Sequence, residues 1–257
     1  MKLARYLLPL ALLALWQVLA WGGVIPPNRL PSPLAILAGL GDLIWQGMPP
    51  GRLLQYHLLY SLYRVAVGFF LAVAIGVPLG LFLGWSRRLY YLLSPLVEVF
   101  RPVPPLAWIP ISILWFGIGI KSAAFIIFLG AFFPILLNTI AGVQAVNPIL
   151  VEAALTLGAK ESHVVKKVLL PGALPNIFVG LRIGLGIGWM TLVAAEFTGV
   201  RSGYGLGYMI MTARDIQRAD EIIAGMAVIG LTGLAIDALI RLLQARLLPW
   251  SQTGARP

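Results

Sequence analysis

The sequence predicts an all-α membrane protein: a polytopic bundle of about six transmembrane helices in a single domain over residues 1–257. Hydrophobic residues make up 60% of the chain and charged residues only 11%, whereas a soluble domain carries roughly 45–50% apolar and about 25% charged residues. The apolar residues are also gathered into long stretches that polar or proline-rich segments separate. Composition and patterning together place the chain in a lipid bilayer.

Six apolar stretches are close to the roughly 20 residues that a helix needs to cross the hydrocarbon layer. The first follows Lys2 and Arg5, as a secretory signal would. Trp16 and Trp21 interrupt the small-residue pattern of a cleavage site, so we expect this stretch to be retained as a span. The predicted spans lie at about 6–24, 64–85, 104–119, 122–143, 175–198 and 222–243.

The third stretch is the least regular, because five prolines fall between Pro95 and Pro110. Proline lacks the amide N–H that an α-helix needs, and its ring crowds the preceding turn. We therefore expect a broken or kinked approach to this span. A membrane tolerates such a break where neighbouring helices or water satisfy the freed carbonyl groups.

The segment 25–63, between the first two spans, predicts a helix that lies along the membrane surface. Ser32-Pro33 has the form of an N-cap followed by a first-turn proline. Apolar residues then recur at helical spacing from Leu34 to Ile44. We expect Pro49-Pro50-Gly51 to end this helix.

Two spans carry small residues at every fourth position, which favours close packing of helices over a pore lining. Such a face lets two helix backbones approach each other in the membrane. The positions are Gly68, Ala72, Gly76, Gly80 and Gly84 in the second span, and Gly180, Gly184 and Gly188 in the fifth.

A polar, charged segment over residues 147–171 interrupts the apolar chain and predicts a helix–turn–helix lying against the membrane. Asn147-Pro148 again has the form of an N-cap and a first-turn proline, and Gly158 suits the left-handed residue that closes a helix. A second helix is expected to follow, with an apolar face formed by Val164, Val165, Val168 and Leu169. We expect Leu170-Pro171-Gly172 to end that helix before Pro175 begins the next span.

The order of residues in this segment resembles the EAA loop of ATP-binding-cassette (ABC) importer permeases, the cytoplasmic element that docks onto the ATPase. Val168 departs from the usual pattern, in which isoleucine is common. The resemblance covers nearly everything after residue 60, and the segments 100–119 and 170–196 are similar to permeases for taurine, other alkanesulfonates and nitrate. The positions that match the EAA pattern, and are expected to couple to the ATPase, are Glu152, Ala153, Ala154, Gly158, Leu170 and Pro171.

The resemblance implies a permease subunit of an ABC importer that moves a small oxyanion-bearing solute into the cytoplasm, a sulfonate such as taurine first and nitrate second. It implies as partners a second permease copy in a homodimer, two cytoplasmic ATPase subunits and a periplasmic or extracellular substrate-binding protein. The partner subunits would bind ATP, so this chain is expected to need no cofactor and to be no enzyme. The implied location is the bacterial inner membrane. With both termini in the cytoplasm, the cytoplasmic segments hold more Lys and Arg than the external ones, in agreement with the positive-inside rule.

Ionisable residues inside spans are costly and therefore indicate candidate functional positions. Arg101 and Arg182 are candidates for attracting an oxyanion along the substrate path, because a planar guanidinium fits its oxygen atoms. Arg182 could instead extend to the membrane surface. Glu98 lies three residues before Arg101 and could pair with it on one helix face. Glu196 is expected to cap or gate the cavity near its external end.

Asp237 lies four residues before Arg241, which is the spacing of an ion pair on one helix face. With Glu98 and Glu196 it also belongs to the few intramembrane carboxylates that an ion-coupled secondary transporter, the alternative function, could use. Secondary transporters are commonly built from inverted repeats, and no such repeat is visible in the sequence.

Other function classes lack the residues that they require. The net charge of +10 comes without a basic run that is interleaved with aromatic residues, so no nucleic-acid partner is expected. The chain has no cysteine, and its two histidines, His57 and His163, are far apart, so no metal site is expected. No recognisable nucleophile–base pair predicts a catalytic site.

Overall fold

A computed structural model describes residues 4–24, 26–198 and 203–252 of the chain. Within these residues all regular structure is helical. Two 3-10 turns at Pro105–Trp108 and Pro249–Gln252 and a π turn at Val165–Leu169 accompany the α-helices. The α-helices are α1 Ala4–Trp21, α2 Pro33–Trp45, α3 Leu54–Trp85, α4 Arg87–Phe100, α5 Ile109–Phe116, α6 Ile120–Gln144, α7 Pro148–Thr156, α8 Glu161–Val164, α9 Leu170–Thr198, α10 Leu206–Asp215 and α11 Ala219–Leu247.

The all-α membrane class is confirmed, because several helices are long and apolar enough to cross a bilayer. Four of the described helices meet this condition singly: Leu54–Trp85, Ile120–Gln144, Glu161–Phe197 and Ala219–Leu247. The apolar part of α1 over Leu7–Trp21 is shorter than a span needs. Six spans therefore remain a prediction, whereas four or five are seen.

The chain bends sharply just before the third predicted span, 104–119. Arg87–Phe100 and Pro105–Phe116 are bent by 81° with respect to each other. Prolines at the break remove amide donors and prevent α4 from continuing. The helix proper is only α5, and Gly117, in the left-handed region with φ of 71°, ends it. The broken approach that the prolines predict is confirmed.

The surface helix α2 begins where the sequence predicts. The Ser32 hydroxyl accepts a hydrogen bond from the Ala35 amide at 3.2 Å, which caps the helix N-terminus. The helix ends at Trp45, earlier than expected, rather than at Pro49-Pro50-Gly51. The reason is Gly47, whose φ of 79° turns the chain immediately after the last helical residues.

The chain divides into two compact units. The first comprises Met1–Leu62 and Glu196–Thr232, and the second comprises Tyr63–Ala195 and Gly233–Pro257. In the first unit, the Arg218 guanidinium joins α2 to the start of α11, with Nη2 2.8 Å from both Asp42 Oδ2 and Asp220 Oδ2. The hydrogen bonds to these carboxylates, first that to Asp220, raise the pKa of Arg218 above its usual value.

Helix α6 forms the centre of the second unit, and both small-residue faces pack against it. A Cβ atom added at Gly80 of α3 would lie 2.6 Å from the Cβ of Thr139 on α6. One added at Gly184 of α9 would lie 2.9 Å from the carbonyl oxygen of Ala131, also on α6. Larger side chains at these positions would separate the helices, so the small residues serve close packing, as their spacing predicts.

Candidate coupling surface and substrate path

Helix α7 carries the E-A-A residues and is set up by its own cap. The Asn147 side chain accepts a hydrogen bond from the Ile149 amide at 3.0 Å, and Pro148 occupies the first turn, where its missing amide costs nothing. The helix ends at Thr156. Glu152 is exposed, and within the described chain its carboxylate forms no ion pair.

The turn after α7 depends on Gly158, which has a φ of 81°. The Gly158 amide donates to the Leu155 carbonyl at 2.9 Å, and the Ala159 amide donates to the Ala154 carbonyl at 3.0 Å. These bonds satisfy carbonyl groups that the end of the helix would otherwise leave unpaired. A left-handed glycine therefore closes α7, as the sequence predicts.

The second helix of this segment does not end at Leu170-Pro171-Gly172, which corrects the sequence prediction. It continues through these residues and through Pro175, so that one helical stretch runs over Glu161–Phe197. The physical reason lies in the π turn before Pro171, where the Leu170 amide bonds to the carbonyl of Val165. This wider turn relieves the crowding that the Pro171 ring would cause in a regular α-helix.

One face of the segment is packed firmly onto the helices of its own unit. Val164 and Leu169 are buried in one apolar cluster with Val143 of α6 and with Ala173 and Ile177 of α9. Side chains of α7 pack against the same cluster, among them Val151 and Ala154. Because this packing is continuous, we expect a displacement of α7 to be transmitted to the adjoining ends of α6 and α9.

The opposite face of α7 is exposed and apolar. We name it the α7 surface and define it by Ile149, Leu150, Glu152, Leu155 and Leu157. Leu157 is 88% exposed and Ile149 67% exposed. Neighbouring exposed apolar side chains beside one carboxylate are typical of a protein-binding surface.

Arg101 lines a cavity of 430 Å³ in the second unit, which we name the Arg101 cavity. Its other walls come from α6, α9 and the segment around Pro105, and the Asn138 amide is the second polar group among them. Within the described residues Arg101 forms no ion pair, so the pair with Glu98 that their spacing allows is not formed. Glu98 does not line this cavity.

Arg182 lines a second cavity, of 660 Å³, which we name the Arg182 cavity. Here the guanidinium is already occupied, because Nε and Nη2 donate to the two carboxylate oxygens of Asp237, the second at 3.2 Å. Arg241 Nη2 lies 2.9 Å from the same carboxylate, which confirms the pair predicted from the four-residue spacing. Ile183 and Ile187 line both cavities, so one face of α9 lies between the two arginine positions.

Glu196 is buried in the first unit and has a defined structural role. Its carboxylate accepts hydrogen bonds from the Ser61 hydroxyl at 2.9 Å and from the Gly207 amide at 2.8 Å. Ser61 in turn accepts from the Leu206 amide at 2.9 Å. These groups cap the N-terminus of α10, where a negative charge is favourable. Glu196 is not among the lining residues of the Arg101 or Arg182 cavity.

The sequence reasoning missed three parts of this arrangement. Sequence reasoning assigns Arg182 no partner, although Asp237 is one of the intramembrane carboxylates, because the two lie 55 residues apart in the chain. It also overlooked Asn138 in the Arg101 cavity and the capping role of Ser61. The only signal for either residue in the sequence is a polar side chain, asparagine or serine, inside an otherwise apolar stretch.

Comparison with known proteins supplies the family. The family model described as the inner membrane component of binding-protein-dependent transport systems matches residues 76–252. The taurine transport system permease protein of Escherichia coli is 42% identical over 240 residues, which cover 93% of this chain and 86% of that protein. The nitrate import permease protein of a Synechocystis species is 36% identical over 247 residues, covering 94% of this chain and 87% of that protein.

A solved structure agrees with these relatives. The methionine ABC transporter MetNI in an inward-facing conformation contains a chain that matches with a TM-score of 0.60 and 26% identity, over 75% of this chain and 93% of that chain. A permease fold and a permease family exclude the ion-coupled secondary transporter as the function. The chain belongs to the binding-protein-dependent transport system inner membrane components, and it is the multi-pass permease subunit, itself not an enzyme, of an ABC importer that works with ATPase and substrate-binding subunits.

Proposed function

We propose that this permease carries a small oxyanion-bearing solute into the cytoplasm, a sulfonate such as taurine first and nitrate second. The observation that carries the proposal is Arg101, a guanidinium without a carboxylate partner in the described chain, at the wall of a 430 Å³ cavity. Apart from Asn138, the side chains around it are apolar. A cavity with one fixed cation and apolar walls suits a small solute with one anionic group.

The names of the relatives support the same solute class. One of them is a taurine permease and another a nitrate permease. Taurine and nitrate share a compact group of oxygen atoms with delocalised negative charge, and a guanidinium can bind two such oxygen atoms side by side. The size of the cavity favours small solutes.

Coupling to ATP hydrolysis would occur at the α7 surface. In this proposal Glu152 and Ala153 dock onto an ATPase subunit, and Ala154 holds α7 against the buried cluster. Gly158 sets the turn, and Leu170 and Pro171 carry the movement into α9. The firm packing of Val164 and Leu169 supports this, because it joins the segment around α7 directly to the ends of α6 and α9. A displacement of α7 by the ATPase would therefore be transmitted to these two helices. ATP would remain in the partner subunits, and this chain would bind no cofactor of its own.

The proposed assembly is a homodimer of permeases in the bacterial inner membrane, with both termini in the cytoplasm. The chain carries one E-A-A segment, and two ATPase subunits need two of them. The two copies would enclose the solute path, and ATP-driven closure of the ATPases would switch that path between its two openings. A substrate-binding protein would deliver the solute from outside.

Uptake of radiolabelled taurine and nitrate tests the solute proposal, with the complete importer purified from its native membrane and reconstituted in liposomes. Arg101→Gln should lower the maximal rate of taurine uptake, and Arg101→Lys should restore part of it, because the charge remains while the paired donors are lost. Arg246→Gln, which removes an arginine in the last turn of α11, is the matched control. Full uptake of both anions by the Arg101→Gln importer would contradict the proposal.

A further inference from the structure

An apolar groove of 300 Å³ lies between α3, α4 and α6. It borders the Arg101 cavity, with which it shares Val103, Leu129 and Phe133, but Arg101 itself does not line it. Only apolar and aromatic side chains line it. Representative lining residues are Leu79 and Leu83 of α3, Leu96 and Phe100 of α4, and Phe128 and Phe132 of α6. A groove without a hydrogen-bonding partner cannot hold a polar solute, so its occupant must be a hydrocarbon or another apolar side chain.

The groove is open along α4. Leu96 is 56% exposed and Phe100 46% exposed, although both line the groove. The chain bends by 81° after Phe100, and Trp108, beyond the bend, also lines the groove with its ring centroid 6.3 Å from that of Phe100. In a membrane, an apolar opening of this kind is suited to the acyl chain of a lipid.

The beginning of α4 adds a charge signal that points to one occupant. Arg87 and Arg88 are both exposed, and neither forms an ion pair within the described residues. Tyr90 and Tyr91 follow directly, with ring centroids 6.0 Å apart. Arginine and tyrosine at the start of a helix with an apolar face are typical of the membrane interface, where headgroup phosphates lie.

The basic pair and the groove belong to the same end of the unit. Tyr90 packs against the cluster formed by Leu83, Leu136 and Ile140, and Leu83 also lines the groove. Gly84, near the C-terminal end of α3, lies so close to α6 that a Cβ atom added to it would be 2.6 Å from the Val143 Cβ. Val143 belongs to the apolar cluster against which α7 packs, so this end of the groove lies beside α7. This is the predicted cytoplasmic side, the side on which anionic lipids attract basic segments.

We propose that this groove is a binding site for an anionic phospholipid. One acyl chain lies in the groove between α4 and α6, and the headgroup phosphate lies against the Arg87 and Arg88 guanidinium groups. The apolar lining of the groove is suited to the lipid acyl chain, and the two arginines, which have no ion-pair partner in the described residues, are suited to the negative charge of the headgroup phosphate. The site goes beyond solute transport and makes the local lipid a ligand of the permease.

Native mass spectrometry of the purified importer tests the proposal by counting retained phosphatidylglycerol and phosphatidylcholine molecules of equal chain length. Phosphatidylglycerol should be retained at lower concentration, and Arg87→Gln/Arg88→Gln should raise its half-saturating concentration about 25-fold, since each arginine near an anionic lipid contributes about fivefold. Arg246→Gln should leave retention unchanged. Leu96→Trp should reduce retention by filling the groove while the arginines remain.

A second measurement locates the bound chain. Phosphatidylglycerol with brominated acyl chains should quench the fluorescence of Trp108, which lines the groove. Because the chain has 8 tryptophans, the quenching measured in Trp108→Phe is subtracted from that of the wild type to give the contribution of Trp108. Unchanged melting temperatures of the variants exclude misfolding as the cause of a loss. Equal retention of both lipids, full competition by inorganic phosphate, or no loss in Leu96→Trp would overturn the proposal.

The competing occupant is a second copy of this chain. Because the chain has no cysteine, Leu96→Cys provides a unique thiol. A disulfide-linked permease pair formed through this position in native membranes would show that protein covers the groove, and would overturn the lipid site. An unlinked Leu96→Cys permease that is alkylated from the lipid phase supports it.

Discussion

Arg182 and Asp237 lie 55 residues apart in the chain, yet the guanidinium of one donates to both carboxylate oxygens of the other at the wall of the Arg182 cavity. The carboxylate of Asp237 thus occupies the position on Arg182 that an oxyanion would take. Arg101, across the face of α9 formed by Ile183 and Ile187, has no such internal anion in the described chain. The two arginines are therefore not equivalent: Arg182 already holds an internal carboxylate, and Arg101 holds none in the described chain.

Asp237→Asn should increase the affinity of the permease for an anionic solute, because the neutral amide releases Arg182 from its internal anion. The pair is partly exposed, so the expected gain is only about two- to fivefold in the dissociation constant. Taurine binding to the permease–ATPase assembly without the binding protein measures it directly. Asp215→Asn, which removes an exposed carboxylate paired with Arg214 on α10, is the control. Weaker binding in Asp237→Asn would show that Asp237 positions Arg182 rather than competing for it.

Glu152→Arg should release the ATPase subunits, because it replaces the one carboxylate of the α7 surface by a cation. We expect co-purification of the ATPase to fall by about tenfold or more, since like charges placed together in an interface cost several kcal/mol. Glu161→Arg makes the same change on α8, outside the α7 surface, and should retain the ATPase. Normal amounts of ATPase with Glu152→Arg would remove the docking role from this surface.

Gly158→Val should impair coupling through the backbone alone. No atom lies within 4 Å of a Cβ added at Gly158, but its φ of 81° costs a residue with a side chain about 1–2 kcal/mol. Asparagine tolerates the left-handed region better, so Gly158→Asn should retain more transport than Gly158→Val. Gly230→Ala, with open space on a regular part of α11, should behave as wild type. Uptake and amide hydrogen exchange over 148–164 measure both effects, and equal loss in the asparagine and valine variants would contradict the backbone explanation.

Local signals explain what the sequence could predict. The apolar stretches identify α3, α6, α9 and α11, because burial in lipid depends on the composition of a single segment. Asn147-Pro148 and Gly158 likewise locate α7, since a cap and a left-handed turn are formed by neighbouring residues.

Long-range partners explain what the sequence could not predict. Helix α3 begins at Leu54 rather than near residue 64, because polar residues in its first turns are satisfied by groups far along the chain. The Gly205 amide, for example, donates to His57 Nδ1 at 3.0 Å. The partner of Arg182 and the cap formed by Glu196 depend on tertiary contacts in the same way. The candidate substrate path was therefore only partly visible as a set of isolated charged residues.

Glu196→Gln should loosen the N-terminus of α10 without unfolding the bundle. The carboxylate accepts hydrogen bonds from Ser61 and from the Gly207 amide, and one amide oxygen cannot replace both acceptor oxygens. Leaving a buried donor unsatisfied costs about 1–3 kcal/mol, so the Gly207 amide should exchange its hydrogen about five- to a hundredfold faster.

Ser61→Ala provides the matched comparison, because it removes the acceptor of the Leu206 amide and leaves the bond between Gly207 and Glu196 in place. The two variants should therefore accelerate exchange at different amides, Gly207 in one and Leu206 in the other. Unchanged exchange at both positions would mean that α10 is held by its apolar contacts alone. If Glu196→Gln loses transport while amide hydrogen exchange at Gly207 is unchanged, the result would support the gating role that the sequence predicts for Glu196.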